Sequence, residues 1–352
     1  MNDLRPSPPP TLHEKVAFLR DPAHYPHPVQ AVDVIETHMS WVFLTDGFVY
    51  KLKKPITRAA VDFATLDARQ RHCHAEIALN RRLAPDVYLG VTALTRDNAG
   101  HLAIDGDGEI VEWLVKMRRL DTRQMLDALI REHRLTRADL APVTALLCAF
   151  YRAAPRVPCD PHAYVRRFER DFADNLAELA HPRYRLAGGI LRTLGVALPA
   201  ACARTAPLLA ARARDGRIVE GHGDLRPEHL YLGTPPVVID CLEFDSALRV
   251  VDPVDEFAYL GLECEVAGVA WVGPAVLQAY ADACAEVIPP ALTAFYTATR
   301  AVLRAKLSAW HLLDCPVAQH ARWLARAARY LELAAAYAAR ARPGSSGVQV
   351  RQ

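Results

Sequence analysis

From residue 32 to residue 120, apolar residues fall in short runs, several alternating with polar ones, the texture of half-buried strands. Runs at 31–36, 41–44 and 48–53 read as the first three strands, with Asp46-Gly47 a hairpin signal between the second and third. Further strands are expected at 85–94 and 110–117, the latter entered through a hairpin at Gly106-Asp-Gly108. One helix interrupts the set at 66–83, with Thr65 placed to cap it. After Asp121 the pattern turns to long Ala-, Leu- and Arg-rich helical stretches, broken by strand-like pieces at 230–232 and 237–240. The expected organisation is a loose lead at 1–10, a β-rich lobe at 11–117, a helical lobe at 118–342 and a loose tail at 343–352. Such a bilobal α+β chain is expected to have a cleft between its lobes where a small molecule would bind.

Composition narrows the function classes. The 352 residues are 51% hydrophobic and 23% charged, enough for a sizeable core. Forty-two basic residues against 40 acidic give a net charge of +2, without the basic excess of a nucleic-acid binder. The uncharged run at 266–281 is interrupted by Gly268, Gly273 and Pro274, so no membrane span is expected. Residues 1–10 lack the apolar core of a signal peptide, and eight cysteines occur without a C-x-x-C pair. Reduced thiols in the cytoplasm are therefore expected. Nothing in the sequence sets an oligomeric state.

The chemistry concentrates in Gly221-His-Gly-Asp-Leu-Arg-Pro-Glu-His229 and, after a short turn, Val237-Val-Ile-Asp240-Cys-Leu-Glu243. Phosphoryl transfer from ATP asks few things of a protein: a carboxylate to orient the attacking hydroxyl, ligands for Mg²⁺, and a cation on the non-transferred phosphates. Kinases place the base in a loop of pattern H-x-D-x-x-x-x-N and a metal-binding Asp at a following strand end. His222, Asp224 and Asp240 have that order and spacing.

His222-Gly-Asp224-Leu and Ile239-Asp240 resemble the signature of aminoglycoside phosphotransferases and their choline-kinase-like relatives, within the protein-kinase-like superfamily. Stretches at 35–44, 50–55, 79–90 and 239–244 resemble an uncharacterised bacterial branch of that family, often fused to a P-loop ATPase domain; no G-x-x-x-x-G-K-[ST] occurs in this sequence. The resemblance spans nearly the whole chain and implies a protein-kinase-like bilobal fold that moves the γ-phosphoryl group of ATP, with Mg²⁺ or Mn²⁺, to a hydroxyl of a small molecule. A non-catalytic nucleotide-binding regulator and nucleotidyl transfer to a protein are the rival readings.

Carried over by position, the resemblance makes Asp224 the base beside His222 and Lys51 the phosphate lysine. Lys53 lies on the same strand face and is its rival. Glu76 would pair with that lysine. The backbone amides of the turn at 37–40, with the Ser40 hydroxyl, would cover the phosphates, and the backbone of the hinge at 116–120, Met117 and Leu120 included, would take the adenine edge. Asp240 would hold the metal. His229 stands where the pattern has Asn and is read as a metal ligand or a packed histidine. Glu243 is read as a compensating ligand or a salt-bridge partner. Glu256, in Asp252-Pro-Val-Asp-Glu256, would brace the catalytic loop. Arg300 and Arg304 either pair with acids such as Glu263 and Glu265 or line a site for an anionic substrate. His72-Cys73-His74 sit two apart on a helix and do not share a face, so no metal site is expected there. Trp271, Trp310 and Trp323 are expected in the core.

Overall fold

The computed structural model describes residues 8–58 and 61–342. The expected loose tail, and the first seven residues of the expected lead, lie outside the described residues. By internal contact the chain forms two units, residues 1–129 with 228–248, and residues 130–227 with 249–352. The sequence suggested one boundary, near residue 117. The segment 228–248 instead groups with the sheet, because its apolar residues are buried there.

The first unit is a six-stranded sheet, antiparallel throughout. In chain order its strands are β1 (Asp33–Glu36), β2 (Ser40–Leu44), β3 (Phe48–Lys53), β6 (Tyr88–Arg96), β7 (Leu102–Ile104) and β8 (Glu109–Arg118), with two-residue strands β4 (Thr57–Arg58) and β5 (Val61–Asp62) paired outside it. The spatial order β1-β2-β3-β8-β6-β7 puts β3 and β8 at the centre. Asp46 and Gly47 turn β2 into β3, as their residue types predict, and Phe43, Tyr50, Leu52, Leu94 and Leu114 fill one face. Helix α1 (Leu12–Arg20) starts at a Thr11/Glu14 capping box and packs Val16 and Leu19 on that face. Its Lys15 reaches in to Glu112 Oε2 at 2.9 Å, while Arg69 of α2 (Leu66–Asn80) contributes Nε to Glu112 Oε1 at 2.7 Å and Nη2 to Glu112 Oε2 at 2.9 Å. Thr65 caps α2 by accepting from the Ala68 amide. The opposite sheet face, with Val87, Tyr88 and Val115, packs on Cys73, Ile77 and Val237. Val237 belongs to a short hairpin, β10 (Leu230–Tyr231) and β11 (Val237–Val238), which carries 228–248 into this unit.

The second unit is helical: α4 (Arg137–Ala153), α5 (Pro161–Leu179), α6 (Gly188–Arg214), α7 (Pro253–Val266), α8 (Val272–Cys284), α9 (Pro290–Asp314) and α10 (His320–Arg340), entered through α3 (Leu126–Arg131). A two-residue pair, β9 (Val219–Glu220) with β12 (Val250–Val251), brackets the segment carrying Asp224. At 27 residues, α6 is long and apolar enough by length and composition to cross a membrane. In the sequence Arg192 and Arg204 interrupt its apolar residues. Its buried Leu194, Leu198, Ala201, Cys202, Thr205 and Leu209 form a stripe at helical spacing, the pattern of a helix packed on one side. The three tryptophans are not core residues. Trp310 is 40% exposed and donates Nε1 to Glu178, and Trp271 and Trp323 are half-buried, one beneath Arg137 and the other stacked on His311. At Trp310 the rim serves both the apolar face of the indole and its N–H.

Candidate active site

Strand alternation on β3 sends Lys51 and Lys53 to the same face, where α2 presents a fully buried Glu76. Each lysine takes one of its oxygens. Lys51 Nζ lies 2.9 Å from Glu76 Oε1 and 3.0 Å from Asp240 Oδ1. Lys53 Nζ lies 2.5 Å from Glu76 Oε2 and also donates to Glu243 Oε1. The result is an alternating row, Asp240–Lys51–Glu76–Lys53–Glu243. Burial works against the charge on Lys51, but Asp240, Glu76 and Glu243 outweigh it and hold its pKa well above the ordinary lysine value. For Glu76 burial is likewise the largest influence, and the two ammonium groups overcome it and lower its pKa.

Asp240 stands at the open end of the row, its side chain 46% exposed. Its backbone is left-handed, with φ +61°, which is costly for a residue with a Cβ. Two side chains hold it there. The Asp240 N–H donates to the Tyr88 hydroxyl at 3.1 Å, and the Cys241 N–H donates to Asn80 Oδ1 at 2.9 Å. Asn80 is itself fixed by donating to the Glu76 carbonyl. Neither Tyr88 nor Asn80 was singled out in the sequence, although both sit in the 79–90 stretch that carried the resemblance. His229 Nε2 comes to 3.5 Å from Asp240 Oδ2.

Among the described residues no group of three or more His, Cys, Asp or Glu side chains is arranged to hold a metal. Asp240 and His229 come together, whereas Glu243 is turned to Lys53. One carboxylate with one imidazole is a sparse donor set. It would leave most of a divalent ion's ligands to phosphate and water, and its imidazole matches magnesium less well than an oxygen would.

Ser40 is 2% exposed, and the turn before it is closed on itself. Thr37 Oγ1 accepts from the Met39 and Ser40 amides and donates to the Ser40 carbonyl. Those two amides thus serve the turn. Met117 and Leu120 are half-buried beside Tyr231 and Ile239 on the cluster around Val115 and Tyr88.

In the helical unit the segment around Asp224 is clamped from below. Glu256, fully buried on α7, accepts from the His222 amide at 2.7 Å, the Gly223 amide at 2.6 Å and the Tyr151 hydroxyl at 2.7 Å. Burial raises its pKa, and these hydrogen bonds work the other way. A Cβ on Gly221 would meet Glu256 Oε2 at 2.3 Å, so the close approach of carboxylate to loop requires glycine there. Gly223 supplies the turn with φ +91°. His222 is fully buried, and its Nδ1 accepts from the Asp224 amide at 3.3 Å. It therefore shapes the loop. The Asp224 carboxylate is one-fifth exposed, and accepts from Tyr259 at 3.1 Å and Arg226 at 3.3 Å, two partners the sequence did not flag.

Behind this loop, Asp252 caps α7 and takes both Nε and Nη2 of Arg212 at 2.7 Å. Arg300 pairs with Asp255 and Arg304 with Glu263, each through two hydrogen bonds. Both arginines are thus in ion pairs, though Arg300 has a different acid from those expected.

No family model matches the chain. An uncharacterised protein of Mycobacterium tuberculosis is 33% identical over 287 residues, covering 80% of this chain and 56% of that protein, and a Mycobacterium bovis protein matches to the same extent. The chain thus spans about half the length of the curated relatives it matches. A choline kinase of Cryptosporidium parvum superposes with a TM-score of 0.50 at 8% identity, over 86% of this chain and 88% of that one. A GDP complex of aminoglycoside 2'-phosphotransferase-IIIa gives 0.49 at 13% identity, over 92% and 98%. The solved neighbours are thus the kinds of protein that the motifs resemble, and this chain has their fold, the protein-kinase-like fold of a β-rich and a helical lobe.

Proposed function

We propose that the protein transfers the γ-phosphoryl group of ATP to a hydroxyl of a small molecule. The observation that carries this reading is Lys51, an ammonium held between buried Glu76 and half-buried Asp240. Glu76 keeps the lysine extended, and an arriving phosphate can replace Asp240 as its second partner. That frees Asp240 for metal, with His229 beside it. Bound magnesium would offset charge on the phosphates. Phosphoryl transfer then needs little beyond positioning and electrostatics. Asp224, steadied by Tyr259 and by the loop that Glu256 holds, orients the acceptor hydroxyl and takes its proton. The acceptor is expected to be a hydroxylated metabolite or an antibiotic-like molecule.

The test is ATP consumption across a library of hydroxylated metabolites, with Mg²⁺ and Mn²⁺ in parallel. Acceptor-dependent ADP release supports the proposal. AMP joined covalently to a protein would select nucleotidyl transfer instead, and nucleotide binding with no turnover on any acceptor would select a regulatory role.

A further inference from the structure

The row Asp240–Lys51–Glu76–Lys53–Glu243 holds more charge than a nucleotide clamp requires. A single lysine on Glu76 would suffice, yet Lys53 takes the second oxygen, and its side chain is 1% exposed. It also lies 5.0 Å from the centre of the Phe63 ring and donates to Glu243, itself only 8% exposed. So deep an ammonium, committed to two carboxylates, is poorly placed to meet a phosphate. Its burial has a different consequence. Two ammonium groups against the carboxylates of Glu76, Asp240 and Glu243 leave the row at net −1, and without Lys53 it would stand at −2.

We propose that Lys53 is a positioning residue whose partner is Glu243: together they orient Glu76 towards Lys51 and anchor the segment following Asp240. This rests on the phosphotransfer reading above. With both oxygens engaged, the Glu76 carboxylate has one orientation, and Lys51 Nζ is aimed by it. Glu243, three residues beyond Asp240, is tied through Lys53 to the same carboxylate. The left-handed turn at Asp240 is thereby held from both sides, by Tyr88 and Asn80 on its own amides and by Glu243 downstream. Glu243 is thus the salt-bridge partner of Lys53, and the metal is left to Asp240 and His229.

The charge count supplies the test. Lys53→Met leaves Glu76 and Glu243 buried with too little positive charge, draws Lys51 more firmly onto its carboxylates, and makes the row repel phosphate. Nucleotide affinity, measured by calorimetry without acceptor, should fall about tenfold or more, because one more net negative charge then faces the phosphates. The double variant Lys53→Met/Glu243→Gln restores the net charge to −1 and should recover affinity to within about threefold of wild type. Lys51→Met should gain nothing from Glu243→Gln. If Lys53 instead touches phosphate directly, the double variant will bind as weakly as the single one, and the proposal is overturned. Unfolding midpoints run in parallel separate this from a failure of the phosphotransfer reading. Should the wild-type protein bind no nucleotide, that reading falls, and the row is then judged on stability alone. A midpoint lowered by Lys53→Met and regained in the double variant supports it, and no regain sinks it.

Discussion

Asp224 and His229 are five residues apart and call for opposite experiments. Asp224→Asn keeps the oxygen that accepts from Tyr259 but cannot take a proton. Nucleotide affinity should hold while turnover drops about 10²–10⁴-fold, the scale of a positioned base. Steady-state kinetics beside equilibrium binding would show it, and turnover within a few-fold of wild type would remove Asp224 from that role. His229 offers imidazole where magnesium prefers oxygen, and imidazole suits later divalent ions better. If the proposed transfer holds, the wild-type protein should therefore use Mn²⁺ unusually well, and His229→Asn should lower its Mn²⁺/Mg²⁺ activity ratio several-fold. Equal ratios in the two proteins would make His229 a packing residue. At this scale the sequence was informative where residue type and spacing make a pattern: Lys51, Glu76 and Asp240, picked out from it, come together in the structure. It was silent on Tyr88, Asn80 and Tyr259, because a single hydroxyl or amide carries no pattern until the fold gives it a neighbour.

The loop bearing Asp224 depends on Glu256, whose carboxylate is the main acceptor for two buried amides. Glu256→Ala should remove that acceptor from both, at about 1–3 kcal/mol each. Glu256→Gln keeps the shape but turns an NH₂ group towards an N–H donor, so it too should lose stability. Denaturant melts and turnover should fall together in both variants; a Gln variant as stable and active as wild type would show that the loop holds itself. Longer elements were readable because periodicity accumulates: β3, β8 and α2 with its Thr65 cap all appeared in the sequence. The pairings β9–β12 and β4–β5 did not, since two residues have no period. The α2 helix also stops at Asn80 rather than running to 83, where the chain turns so that Leu83 and Ala84 can pack in the core.

Across the whole molecule, each unit carries ion pairs in its interior. In the sheet unit Glu112 is the anion shared by Lys15 and Arg69, joining α1, α2 and β8. Glu112→Ala would leave two cations buried without it, at a cost of about 3–5 kcal/mol. The first unit should then melt earlier and lose nucleotide with it. Thermal shift with and without nucleotide would report this, and an unchanged midpoint would mean that the two cations find water. The division of the chain was the least legible property at this scale. A boundary inferred from texture cannot anticipate that 228–248 returns to the sheet, because that depends on Val237 meeting Cys73 and Ile77 far away in sequence.

That return also bears on synthesis. The first unit is not complete when its sheet has left the ribosome, since Val237 and Asp240 follow roughly a hundred residues of helix. Until then the apolar surface formed by Cys73, Ile77, Val87 and Val115 lacks its cover, a state prone to association. A fragment of residues 8–129 should accordingly aggregate when expressed alone. The same fragment followed through a flexible linker by residues 228–248 should stay in solution and melt cooperatively. A soluble, folded 8–129 fragment would show that the sheet closes without the returning hairpin, leaving Asp240 as a late addition to a finished surface.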